Sequence, residues 1–100
     1  SCDFKNDNAG GKGRISTNHK LGNNPGTVTI RYHMENIPDQ MDVYYDGQLV
    51  ATTNGLVSGE GTISWVYTPQ NGKPDFCIVI MTAPNDGTSW TYYIRCPKQL

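Results

Sequence analysis

The stretch from Gly26 to Thr53 limits what this chain can fold into more than any other. Val28, Ile30, Tyr32 and Met34 alternate there with Thr27, Thr29, Arg31 and His33. A period of two marks a strand with one face buried and one face wet, as in an antiparallel sheet. Asn36 to Asp39 interrupts it, because Pro38 lacks a backbone donor and biases Ile37 towards extended backbone. The pattern resumes over Met41–Tyr45. Asp46-Gly47 follows, the preferred pair for a type I′ hairpin turn, and Gln48–Thr53 is the return strand.

The remainder reads in the same way. Arg14–Asn18 is a candidate short strand, after a polar, glycine-rich loop over Asp3–Gly13 in which Phe4 is the one apolar anchor. That loop lacks both the Walker spacing and the strand–loop–helix setting of a phosphate loop. His19–Pro25 is a second loop. Thr62–Tyr67 carries Ile63, Trp65 and Tyr67 on one face. Phe76–Thr82 is apolar on both faces and reads as a central strand covered on both sides. In Ser89–Cys96, Trp90, Tyr92 and Ile94 oppose Thr91, Tyr93 and Arg95. No stretch has the apolar spacing of a helix.

About seven strands joined by Gly, Asn and Asp turns predict a single all-β domain over residues 1–100, a two-sheet antiparallel β-sandwich of jelly-roll or Greek-key type. The expected inner faces carry Val28, Ile30, Tyr32, Val43, Tyr45, Ile63, Trp65, Ile78, Ile80, Trp90, Tyr92 and Ile94.

Composition narrows the function. Charged residues are 17% of the chain and the net charge is -1. The basic residues are scattered, which argues against nucleic acid and against a polybasic membrane anchor. No apolar run is long enough to span a bilayer. The opening residues lack the pattern of a secretory leader, as expected for a mature chain or an excised module. Of the three cysteines, Cys2 and Cys96 lie at opposite ends of the chain. A Cys2–Cys96 disulfide would close a loop worth roughly 4 to 5 kcal/mol in the chain-entropy model. Cys2–Cys77 is the alternative, although Cys77 sits in the apolar run FCIVIM and reads as a buried thiol. Either bridge implies an oxidising, extracellular setting.

The stretch GTVTIRYHMENIPDQMDVYYDGQLVATTNGLVSGEGTISWVY, with the ending APNDGTSWTYYIRCP, resembles small β-sandwich modules of secreted bacterial and phage proteins. It is similar to jelly-roll P-domain-like and Calx-β-like sandwiches. The resemblance implies a sandwich and an accessory role in a larger multidomain chain. It carries over no functional residue.

Catalysis would need a nucleophile–base pair, a carboxylate pair or a metal. The two histidines, His19 in a loop and His33 on a polar strand face, have no partner in the pattern and read as exposed. A non-catalytic module is expected. Two constellations are candidate binding sites. The first is acidic. Glu35, Asp39, Asp42 and Asp46 surround the central hairpin, and Asp39 with Asp42 would supply two oxygens for calcium. Ordinary turn formation is the competing role. The second is aromatic. Tyr44 stands beside Asp42 and Asp46, and Tyr93 stands beside Arg95. A tyrosine flanked by polar groups suits stacking on a sugar ring, and a cross-strand packing pair is the competing role.

The leading expectation is therefore a secreted, extracellular carbohydrate-binding module. It would bind polysaccharide or cell-surface glycan, with calcium as a candidate cofactor, and target a larger protein. The alternative is a protein-interaction or structural module such as an adhesin, tail or inhibitor domain.

Overall fold

The computed structural model describes residues 3–97. Eight strands are found among them: β1 (Phe4–Gly10), β2 (Gly13–Lys20), β3 (Gly26–His33), β4 (Gln40–Tyr45), β5 (Gln48–Thr52), β6 (Glu60–Tyr67), β7 (Phe76–Ala83) and β8 (Thr88–Arg95). They form two antiparallel sheets of four, ordered β1-β8-β3-β6 and β2-β7-β4-β5. Every connection crosses between the sheets except the β4–β5 hairpin, whose Asp46 and Gly47 have φ of 51° and 76°. Both are left-handed, as a type I′ turn requires. No helix among the described residues is long and apolar enough to cross a membrane.

The core lies between the sheets. Val28, Ile30, Val43, Val79, Trp90, Tyr92 and Ile94 are buried, and Trp65 is nearly so. Trp90 stacks on Tyr92 with ring centroids 5.8 Å apart. Tyr45, Trp65 and Tyr67 form a second aromatic group. The Tyr45 hydroxyl donates to the Pro74 carbonyl, and that of Tyr67 to the Gly22 carbonyl, each at 2.8 Å, so these rings also pin loops.

Several expectations are corrected. There are eight strands, not seven. The added one is β1, which occupies most of the stretch expected to be a loop and pairs residue by residue with β8. In β7 the phase is inverted. Cys77, Val79, Met81 and Ala83 face the core, while Ile78 and Ile80 lie half-exposed on the outer face. The strand is central in its sheet but covered on one side only.

His19 is the other correction. It is the penultimate residue of β2 rather than part of a loop, and it is buried. Its Nε2 lies 2.6 Å from the Tyr92 hydroxyl, which also accepts from Asn6 Nδ2 at 3.0 Å. The direction of the His19–Tyr92 bond follows the imidazole tautomer. Burial holds His19 below its ordinary pKa. Phe4 packs on the same imidazole, at 5.3 Å between centroids.

Cys77 is a free thiol in the core, its pKa pushed up to about 12 by burial. A bridge between Cys2 and Cys77 is thereby removed. The Cys2–Cys96 pairing depends on Cys2, which lies outside the described residues.

Candidate functional site

The outer face of the β1-β8-β3-β6 sheet is a grid fixed by strand register. One row across it reads Lys5, Tyr93, Arg31, Thr62. The row on one side reads Asp7, Thr91, His33, Glu60, and on the other side Arg95, Thr29 and Ser64 are neighbours. Directly opposed side chains start about 5 Å apart and diagonal ones about 7–8 Å, so these side chains lie within reach of one another. They alternate with core residues in strands whose inner faces are fixed by burial. A slip of one residue would turn the whole grid inwards.

An open groove of about 710 Å³ runs over this grid, lined by side chains of β3, β6 and β8. Tyr93, 43% exposed, rises beside it. Lys5 Nζ sits 5.8 Å from the Tyr93 ring centroid on the β1 side, away from the groove. It buttresses one side of the ring and is itself 3.6 Å from Asp7. Arg31 is the register partner of Tyr93 on the other flanking strand. His33 Nδ1 accepts from the Glu35 backbone N–H at 3.0 Å. That bond leaves Nε2 as the donor in the neutral ring. The groove thus offers an aromatic surface, hydroxyls from Thr62 and Thr91, an imidazole donor, a carboxylate and two guanidinium groups.

The residues proposed as sites from the sequence do not converge. Tyr93 and Arg95 are in the groove. Asp42 and Tyr44 belong to the outer face of the opposite sheet, next to Ile80 and Ile78. Tyr44 is only half-exposed, and the polar groups around it are already engaged. Asp42 accepts from Gln40 Nε2 at 2.8 Å and from the Thr52 hydroxyl at 2.6 Å. Asp46 pairs with Lys73 at 3.0 Å.

Asp39 and Asp42 do not fit a shared calcium ion. Asp39 is fully buried, and its carboxylate accepts the Thr88 hydroxyl at 2.6 Å. Asp42 points from the outer face of β4. Among the described residues, no three of His, Cys, Asp and Glu group closely enough to hold a metal ion.

The sequence matches no family model, and no curated protein matches it.

Proposed function

We propose that this chain is a non-catalytic, extracellular carbohydrate-binding module that targets a larger secreted protein, and that the groove beside Tyr93 is its binding site. The strand order also reads as that of a jelly roll, two four-stranded sheets wound together. The observation carrying the reading is the exposed Tyr93 beside an open groove lined mainly by polar residues. Stacking on a sugar's C–H face needs such a ring, and sugar hydroxyls need donors and acceptors on either side of it. The groove is large enough for small-ligand recognition, which typically uses about 300–1,000 Å³.

The test is affinity electrophoresis through gels carrying a panel of neutral and acidic polysaccharides. Tyr93→Ala should weaken retardation about tenfold or more, the loss of roughly 1.4 kcal/mol or more, with an unchanged melting temperature. Tyr44→Ala should leave retardation as it was. Chelator should also leave it unchanged, because the Asp39 carboxylate is buried against Thr88 while that of Asp42 is engaged on the outer face of the other sheet. Retardation that survives Tyr93→Ala would move the site elsewhere.

The alternative, a protein-interaction or structural module, draws support from the opposite outer face. Ile78, Tyr44 and the half-exposed Leu49 lie in one row there, with Phe76 nearby. Apolar side chains grouped on a surface suit a protein partner. If no polysaccharide retards the chain, this reading takes precedence.

A further inference from the structure

We infer that the groove selects acidic carbohydrate, with Arg31 and Arg95 binding a carboxylate or sulfate of a sugar whose ring stacks on Tyr93. The inference rests on the carbohydrate reading above and names its ligand class. Arg31 lies directly across from Tyr93, and Arg95 is the next outward-facing residue along the same strand as Tyr93. The two guanidinium groups are therefore diagonal neighbours on adjacent strands. Both are exposed, and both line the groove.

Neither forms an ion pair among the described residues, although Glu60 is a diagonal neighbour of Arg31. The lysine and arginine ion pairs among the described residues are Lys5–Asp7, Lys20–Asp75 and Lys73–Asp46. Lys5, Lys20 and Lys73 thus have acidic partners, while the two arginines in the groove have none. Like charges set this close repel one another. An anion placed between them removes that repulsion and gains paired N–H···O bonds, for which guanidinium geometry is suited.

The groove is also polarised along its length. Glu60 stands across from His33, beyond Arg31 and away from Arg95. A sugar lying along this axis places its acid group at the arginine end. Its hydroxyls meet Thr91, the His33 imidazole and the Glu60 carboxylate, which accepts from them. A chain with net charge -1 has few places to attract a polyanion. Here the local charge is opposite to the global one.

Affinity electrophoresis of the whole chain tests this with matched polymers. Polygalacturonate is compared with its carboxyl-reduced form, and dextran sulfate with dextran. Retardation is expected in at least one charged gel and should be lost in its neutral counterpart. Which charged gel retards assigns carboxylate or sulfate. Arg31→Ala and Arg95→Ala should each weaken binding about tenfold, with Lys at either position restoring only part, because an ammonium is a point charge. Lys20→Ala and Lys73→Ala should have no effect. Equal retardation by the charged and neutral members of a pair would overturn the acidic class and leave carbohydrate binding standing. No retardation by any polysaccharide would overturn both. Equal retardation by single-stranded DNA would reassign the groove to phosphate backbones and also overturn the inference.

Discussion

Thr88→Val is expected to destabilise the protein by about 3 kcal/mol at neutral pH and by much less near pH 4, as read by denaturant unfolding. Thr88 and Asp39 are both fully buried, and the Thr88 hydroxyl is the only side-chain donor to the Asp39 carboxylate among the described residues. Valine keeps the shape and removes the donor. A buried polar group without its partner costs about 1–3 kcal/mol, and more when it is charged. The contact also ties the β3–β4 crossover to the start of β8, while Asp39 exchanges both backbone bonds with Val57 in the β5–β6 connection.

The pH dependence follows from Asp39 itself. Burial raises its pKa, and the Thr88 hydrogen bond lowers it part of the way back. Above the ordinary carboxylate range of about 4, the folded state holds a proton that the unfolded state has lost. Stability therefore falls as pH rises from there through the folded-state value. Thr88→Val removes the opposing bond, raises that value further and widens the window of loss. Asp39→Asn, added to Thr88→Val, should flatten the dependence. A Thr88→Val penalty that is equal at acid and neutral pH would contradict a charged Asp39.

Gly61→Val is expected to destabilise by about 3 kcal/mol, the upper part of the range for overpacking. Gly61 lies opposite Tyr32 in the β3–β6 ladder. A Cβ there would run into the Tyr32 ring at its hydroxyl and Cζ, and Cε1 would be 3.0 Å away. Tyr32 packs against the core, so the ring cannot swing away freely. The backbone at Gly61 is not left-handed, in contrast to Gly59 two residues earlier, so the effect is steric rather than torsional. Tyr32→Ala should therefore rescue much of the Gly61→Val loss, with a coupling of about 1–3 kcal/mol in a double-mutant cycle. Additive penalties would show that the ring does not set the requirement for glycine. Both residues line the groove, so the cycle also probes how its floor is built.

Much of the architecture was legible, for identifiable reasons. β3 and β8 alternate cleanly, Asp46-Gly47 marks its turn, and Trp65 and Trp90 share faces with other apolar residues. β1 was not legible, because Lys5, Asn6, Asp7 and Asn8 bury too little to leave a period. Its pairing comes from the backbone ladder with β8, together with the polar contact from Asn6 to Tyr92. β7 defeats phase assignment because apolar residues stand on both faces. His19 looked exposed because polar turn-formers follow it, and its burial depends on Tyr92, a residue distant in sequence.

The site was only half visible. Tyr93 and Arg95 stand out as an exposed aromatic and a cation on one strand face. Arg31 and His33 were placed on the polar face of their own strand, but nothing local shows that β3 lies beside β8. That juxtaposition is a matter of topology, and register then sets Arg31 across from Tyr93. Tyr44 with Asp42 gave a similar local pattern and belongs to the other sheet. Local chemistry nominated both faces, and long-range pairing separates them.

The claim that matters most is that ligand binds over the outer face of β8, β3 and β6. Backbone chemical-shift mapping tests it directly, with oligogalacturonide or sulfated dextran oligosaccharide as the probe. The largest shifts are expected at Arg31, His33, Thr62, Thr91, Tyr93 and Arg95, with Tyr44, Leu49 and Ile78 unmoved. Shifts concentrated on Tyr44, Leu49 and Ile78, with Tyr93 and its neighbours unmoved, would contradict it.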